Sequence, residues 1–506
     1  MTQTRTIETM LFINGEARPA RDGGTCDVFN PARPSELVGR AAAATVDDVD
    51  DAVRAAHAAF PSWAALSYAE RAALLCEVAE VLTEDAADVD FRARLFCREH
   101  GKILSETHLE ISRLGERFRQ VAAYADRLAR DEYIAGDALD TIVTRQPRGV
   151  AALIVPWNWP LAILGAKLPQ ALMAGNTVVV KPANNATLVP ALTLEKIARV
   201  LPSGVVNVVT GTSSQIGDPL VGHPLVRKVN FTGSVDVGRH VMRVAAEHIT
   251  PVTLELGGND AGLLLDDAVL DDAAFQRLYL GAFMSTGQIC MALKRLYVHR
   301  SRYDEVIDGL SSDCDRQVIG DGLLPETTMG PMNNAKQLGV VTSMIRQARQ
   351  AGADVREFGY VPDQELYDGG YFQRPTLVFN PDSRLSVVAE EQFGPVLPIL
   401  PFDTDAEAVR MANDSEFGLC SSVWTADRDR ALMLARELEA GYTYINAHGP
   451  AAQDGRGPFG GFKKSGIGRN FGYEGIIQFQ GYHAISGAAD YAARAAREDS
   501  KSSTCP

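Results

Sequence analysis

The sequence predicts an α/β protein built around parallel sheets, on three observations. Apolar strand-like runs alternate with runs of helical period for about a hundred residues after Gly149, the signature of a parallel sheet covered on both faces. A second alternating region follows from about Asn259 to Gly449. The chain has 506 residues, more than one hydrophobic core usually holds, so two or three domains are expected.

The stretch up to about Arg130 reads as mostly helical. "VDDVDDAVRAAHAAFPSW" and "SYAERAALLCEVAEVL" carry apolar residues at three- and four-residue spacing with acids near their starts, and both read as structural rather than chemical. From Gly149 the expected order is strand "GVAALIV", helix "LAILGAKLPQALMA", strand "TVVVK", helix "LVPALTLEKIARVL" and strand "VVNVV". A short helix near Ile216, strand "KVNF", helix "VDVGRHVMRVAAEH" and strand "VTLEL" complete it. Strands of the second region are expected at "AGLLL", "RLYVH" and "LCSSVWT". Residues 489–506, rich in Ala, Ser and charge, read as a helical or disordered tail.

Composition excludes several classes. Hydrophobic residues make up 46% and charged residues 22%, so the body of the chain is not expected to be disordered. A net charge of −15 without any dense basic run argues against nucleic acid as a partner. The N-terminus lacks a long apolar secretory segment, and "GVAALIVPWNWPLAILGA" is broken by Pro156, Asn158 and Pro160, so neither export nor a membrane span is expected. The cytoplasm is the expected compartment. The seven cysteines are widely spaced, with no C-x-x-C and no H-E-x-x-H, so neither a disulfide framework nor a metal site is expected.

The usual phosphate motifs fail. "GSVDVG" has P-loop glycine spacing, but Arg239 and His240 follow it where Lys and Ser/Thr belong. The G-x-G-x-x-G match at Gly455 to Gly460 contains Pro458 and does not follow a strand. "NFTGSVDVGRHV" still reads as strand, Gly-Ser turn and helix; its free N–H groups would suit a phosphate, or it is an ordinary βα turn.

Three residues stand at predicted strand ends or in glycine-rich turns: Asn158 in "VPWNWP", Glu255 in "LELGGN" and Cys290 in "GQIC". A carboxamide, a carboxylate and a thiol are what covalent carbonyl chemistry needs as oxyanion donor, base and nucleophile. Singly, each has a plainer reading as a turn residue, a solvated acid or a packing thiol.

Together with their neighbours they carry a resemblance. "PWNWP", "GNTVVVKPA", "VVTG", "NFTGS", "LELGGN", "GQICMALKR", "EEQFGP" and "PFGGFKKSGIGR" resemble the aldehyde dehydrogenase superfamily, in order and at about its spacing over nearly the whole chain. The resemblance implies a Rossmann-type cofactor domain (1–124 and 148–257), an α/β catalytic domain (258–462) and a small β oligomerisation arm (125–147 and 478–488). It implies Cys290 as nucleophile, Asn158 as oxyanion donor, Glu255 as base for hydrolysis, and Lys167 within the catalytic set. Branches that pass the acyl group to coenzyme A tend to lack the glutamate.

The cofactor would be NAD or NADP. By motif, Lys181 and Asn184 would meet the adenosine ribose. Ile154, Trp157, Gly217, Phe231, Gly233, Ser234, Gly238 and Leu256 would line the dinucleotide groove, with Glu391 and Phe393 at the nicotinamide end. Where the family often has "KPAE" or "KPSE", this chain has Asn184, which removes a charge that would repel a 2′-phosphate; NADP is therefore expected to be tolerated. Trp159, Leu161, Ile163, Ile289, Met291 and Phe459 would line a mostly apolar substrate tunnel. Small Gly165 and Ala166 suggest room for a bulky, aromatic or branched aldehyde, unless they serve ordinary helix packing, and no arginine is evident at these positions to pair a substrate carboxylate. A dimer or tetramer is expected, through "ALDTIVTRQPRG" and "FQGYHAIS". A coenzyme A-acylating enzyme and a non-catalytic protein on the same fold are the rival readings.

Overall fold

The computed structural model describes residues 6–488; the expected tail, 489–506, lies outside the described residues. Two large sheets dominate. The first has eight strands in the spatial order Gly466–Ile467, Val252–Glu255, Val226–Thr232, Val150–Ile154, Thr177–Lys181, Val206–Val208, Leu11–Ile13 and Glu16–Arg18. Its five central strands pair in parallel, and antiparallel strands from distant parts of the chain close both edges.

The central strands are apolar at nearly every position because both faces are covered. Ala151 and Leu153 enter one hydrophobic cluster, while Val150, Ala152 and Ile154 enter another on the opposite face. The second sheet runs Asp354–Glu357, Thr376–Phe379, Val396–Phe402, Leu293–His299, Asp260–Leu264, Cys420–Trp424 and Tyr442–Ile445, parallel except at its first pair. A third, antiparallel sheet joins Leu139–Pro147 to Glu132–Ile134 and to Gln480–Ala488, with Gln480 opposite Pro147 and Ala488 opposite Leu139.

Two local expectations are corrected. The N-terminal stretch is not mostly helical throughout, since five strands occupy residues 7–42 before the first helix, Val46–Ala65. Three of these strands have only three residues each, so their periodicity is weak. Asn14 and Gly15, both at positive φ, turn the chain between Leu11–Ile13 and Glu16–Arg18, and this Asn-Gly pair was the available signal. The segment "LAILGAKLPQALMA" forms two helices, Pro160–Gly165 and Leu168–Met173, rather than one. Pro169 sits in the first turn of the second helix, where its ring is tolerated only at a helix start.

Candidate active site

The chain winds from Val150–Ile154 outward through Thr177–Lys181 to Val206–Val208. It then returns to place Val226–Thr232 on the other side of Val150–Ile154. The crevice beyond the C-terminal ends of these two strands is the switch point where parallel sheets bind ligands. Trp157 and Asn158 follow one strand, Gly233 and Ser234 follow the other, and Glu255 ends the next strand out. The Gly233 N–H donates to the Glu255 carbonyl at 3.1 Å, tying two of these ends together.

Cys290 arrives from the other sheet's side. It is only half-buried. The three residues Ser285, Thr286 and Gly287, just ahead of it, all have positive φ, of 53°, 58° and 70°. Two non-glycine residues in this region mark strain held by surrounding structure. The restraints are visible: the Ser285 N–H donates to Glu106 Oε1 at 2.7 Å, Thr286 Oγ1 to the Gly330 carbonyl at 3.0 Å, and the Asn333 N–H to Gln288 Oε1 at 2.9 Å. Lys294 Nζ donates to the carbonyls of Ile289 and Cys290, at 2.8 and 2.6 Å.

Asn158, Glu255 and Cys290 line one cavity, which holds about 740 Å³ of space free of protein atoms, its open mouth included. The side chain of Asn158 is buried, and its Nδ2 donates to the Gln288 carbonyl at 3.0 Å. An amide nitrogen carries two hydrogens, so one is left for a ligand. Burial pushes the Cys290 thiol up to about 12, against the pull of Lys294, so the resting sulfur is protonated. Burial likewise pushes Glu255 up to about 8; Lys167, Arg469 and a hydrogen bond with Asn470 draw it back. Glu255 Oε1 is buried without a hydrogen-bond partner.

Lys167 is fully buried, and burial brings it down to about 7 against the attraction of Glu255 and Cys290. Its Nζ donates to Asn230 Oδ1, and Asn230 Nδ2 donates to Asn470 Oδ1 at 2.9 Å. A polar chain thus runs from Lys167 through Asn230 to Asn470, which lies beside Glu255 on the cavity wall.

Trp159, Ile163, Ile289, Met291 and Phe459 line the same cavity. Leu161 does not; it is packed into a core cluster. Two further tunnel expectations need correction. Gly165 does not open space for substrate: a Cβ there would lie 3.2 Å from Arg117 Cγ and 3.3 Å from Leu114 Cδ1, so its missing side chain is filled by helix Leu104–Ala122. Arginines are present, for Arg113 and Arg117 both line the cavity. Neither lies near the recognisable motifs, which is why sequence reading missed them.

The same helix supplies two further residues. Glu106 holds the strained loop before Cys290, and Glu110 Oε1 accepts the N–H groups of Leu161 and Ala162 at 2.7 and 3.0 Å, fixing the helix that follows Asn158. Positions 106, 110, 113 and 117 share one helical face. That polar stripe inside "ETHLEISRLGERFR" was the signal available.

The dinucleotide-groove expectations gather at the sheet's C-terminal edge. Helix Val235–Ala246 starts after Ser234, whose hydroxyl caps no backbone N–H, so its first-turn donors remain open to an anion. Close packing requires glycine twice: a Cβ on Gly233 would meet the Phe231 ring at 2.5 Å, and one on Gly238 would meet Leu256 Cδ2 at 2.5 Å. A Cβ on Gly217 would meet only Ser213, at 3.8 Å, leaving that helix face open. Lys181 follows Ile154 in register across the sheet, and its Nζ donates to the Pro182 carbonyl at 3.3 Å. Burial lowers it to about 8. Asn184 Oδ1 is buried and unpartnered nearby. The rings of Trp157 and Phe393 meet edge-on, 5.6 Å apart, and Glu391 Oε1 accepts the Gly258 N–H at 3.0 Å while lying 3.5 Å from Lys294 Nζ. Open helix N–H groups, an orphaned amide oxygen and a Cβ-free cradle fit a dinucleotide.

The aldehyde dehydrogenase family pattern matches residues 18–485. The chain is 38% identical over 472 residues to glutarate-semialdehyde dehydrogenase of Pseudomonas putida, covering 92% of this chain and 95% of that one. It is similar in structure to betaine aldehyde dehydrogenase of Staphylococcus aureus in complex with NAD+, with TM-score 0.89 and 30% identity over 95% of each chain. It is also similar to an NADP-dependent enzyme of E. coli, with TM-score 0.90 and 35% identity over 95% of this chain and 98% of that one. Among the described residues, no helix is long and apolar enough to cross a membrane.

Proposed function

The chain belongs to the aldehyde dehydrogenase family, and on that premise we propose that it oxidises an aldehyde with an apolar body to the carboxylic acid, through a covalent adduct on Cys290 that water releases. It is an NAD(P)-dependent oxidoreductase. The relatives' names point to aldehydes of opposite charge, an anionic semialdehyde and a cationic betaine aldehyde, so membership alone leaves the substrate open. The observation that carries the mechanism is the meeting of Cys290, Asn158 and Glu255 in one cavity.

A carbonyl carbon is a poor hydride donor until a nucleophile makes it tetrahedral. Cys290 Sγ adds to that carbon, and the π pair moves onto oxygen. Burial holds the resting thiol protonated, so its proton must leave as sulfur attacks, and it passes to solvent from the half-exposed face of Cys290. The free N–H of Asn158 meets the oxyanion. The bound nicotinamide dinucleotide supplies the hydride acceptor. A thioester then remains on Cys290, and Glu255 takes a proton from the water that attacks it. The carbon–sulfur bond breaks, the carboxylic acid departs, and Glu255 passes its proton to the sulfur, restoring its own carboxylate and the thiol.

Lys181, Asn184 and the open N-terminus of helix Val235–Ala246 would hold the adenosine and pyrophosphate, with Glu391 and Phe393 toward the nicotinamide. NAD and NADP are the cofactors of the similar proteins. Asn184 supports use of either, since it accepts hydroxyls without repelling a 2′-phosphate. The three-stranded sheet supports a homo-oligomer: Leu139, Tyr482 and Ile485 are exposed on it and would be covered by a second copy.

The test is an acid quench during turnover followed by intact mass measurement. An acyl adduct on Cys290 that disappears in Cys290→Ala, together with loss of cofactor reduction, is the expected result. Undiminished reduction in that variant, or acyl transfer to added coenzyme A in place of water, would overturn the mechanism.

A further inference from the structure

We propose that Arg113 and Arg117 form an anion-reading mouth on the substrate cavity, so that the preferred aldehyde carries a carboxylate at the end remote from Cys290. The inference rests on the aldehyde-oxidising reading and adds the polarity of the substrate. Both arginines lie one turn apart on helix Leu104–Ala122, and both line the cavity that Cys290 lines. Like charges at this spacing repel. Among the described residues, neither guanidinium has a carboxylate within 4.0 Å. The nearby Asp454 is taken by Arg456, at 2.6 Å.

The hydrogen-bond partners that hold the pair are neutral, and Glu116 and Asp454 act on Arg117 electrostatically without pairing with it. Arg113 Nη1 donates to the Pro450 carbonyl at 3.1 Å, and Arg117 Nη1 donates to Gln120 Oε1 at 2.7 Å. The Arg117 guanidinium also lies 4.8 Å over the ring of Phe471, itself part of the cavity wall. Its stem fills the notch at Gly165, and a Cβ on Gly455 would overlap its tip. Each guanidinium carries five N–H donors, so most remain to be satisfied. Behind this pair the wall is apolar, with Trp159, Ile163, Ile289, Met291 and Phe459. An apolar throat with two arginines on its wall, neither paired with a carboxylate, matches a methylene or aromatic body with a terminal carboxylate.

The experiment uses the purified enzyme with saturating cofactor and a series of aldehydes of increasing length, each as its terminal carboxylate and as the matched methyl ester. The carboxylate is expected to have about tenfold or higher kcat/KM than its ester at low ionic strength, and salt should narrow the gap. In R113Q/R117Q the ratio of the two should fall toward one, while R113K/R117K keeps most of it. A purely structural role, pinning the Pro450–Gly455 loop, would lower both substrates together and leave the ratio unmoved; that result overturns the proposal. So does a wild-type enzyme that oxidises esters as well as acids, a measurement that stands even if the glutamine variant fails to fold. Oxidation of no aldehyde in either series would instead overturn the dehydrogenase reading beneath it.

Discussion

Replacing Glu255 with Gln isolates the release step. Burial places the Glu255 carboxyl near 8, where it serves as a base only when ionised. On that value the ionised fraction rises from about one tenth at pH 7 to about nine tenths at pH 9, so steady-state turnover limited by release should climb about tenfold over that interval. The sign follows from the direction of the shift: a raised carboxyl loses its proton late, so activity is gained as pH rises through 8 rather than near the ordinary carboxylate range. Gln has the same shape and cannot accept the proton, and the loss of a general base costs about 10²–10⁴-fold. Stopped-flow absorbance of the reduced nicotinamide should then show a first turnover of about one equivalent per chain, followed by a steady state slowed by that factor. The pH limb near 8 should vanish from the slow phase. A variant that loses burst and steady state in proportion would assign Glu255 to attack instead of release; one that keeps the pH limb would refute the assignment of that limb to Glu255.

Other perturbations probe the remaining parts. Asn158→Ala removes an oxyanion donor and should cost on the order of 3 kcal/mol in the single-turnover rate, with weaker effects on cofactor affinity measured by fluorescence titration. Asn184→Glu puts a charge where a 2′-phosphate would lie; at about 4 Å and an effective dielectric of 20 the repulsion is up to about 4 kcal/mol, so kcat/KM with NADP should fall far more than with NAD. Gly287→Ala forces a side chain at φ of 70° against the Gly394 carbonyl oxygen, and should lower the unfolding free energy by at least about 2 kcal/mol in urea titration while disordering the loop before Cys290.

Much of the site was legible because its chemistry sits where local patterns change. Asn158 and Glu255 occupy strand ends followed by proline or glycine, and Cys290 follows Gly287, whose positive φ only glycine adopts without strain. The alternation after Gly149 announced the parallel sheet because strands covered on both faces must be apolar throughout. The short N-terminal strands were not legible, since a three-residue strand leaves almost no period of its own.

The sequence alone therefore marked out the candidate reacting groups, which share one cavity, and the sheet that carries two of them, because both follow from local backbone rules. Only the tertiary structure decided what surrounds them. Gly165 looked like space until helix Leu104–Ala122 filled it with the Arg117 stem, and the face of that helix delivers Glu106 to the strained loop and two arginines to the cavity wall. Charge acts across distance between residues more than a hundred positions apart, and such neighbours are fixed by packing, which no local pattern records.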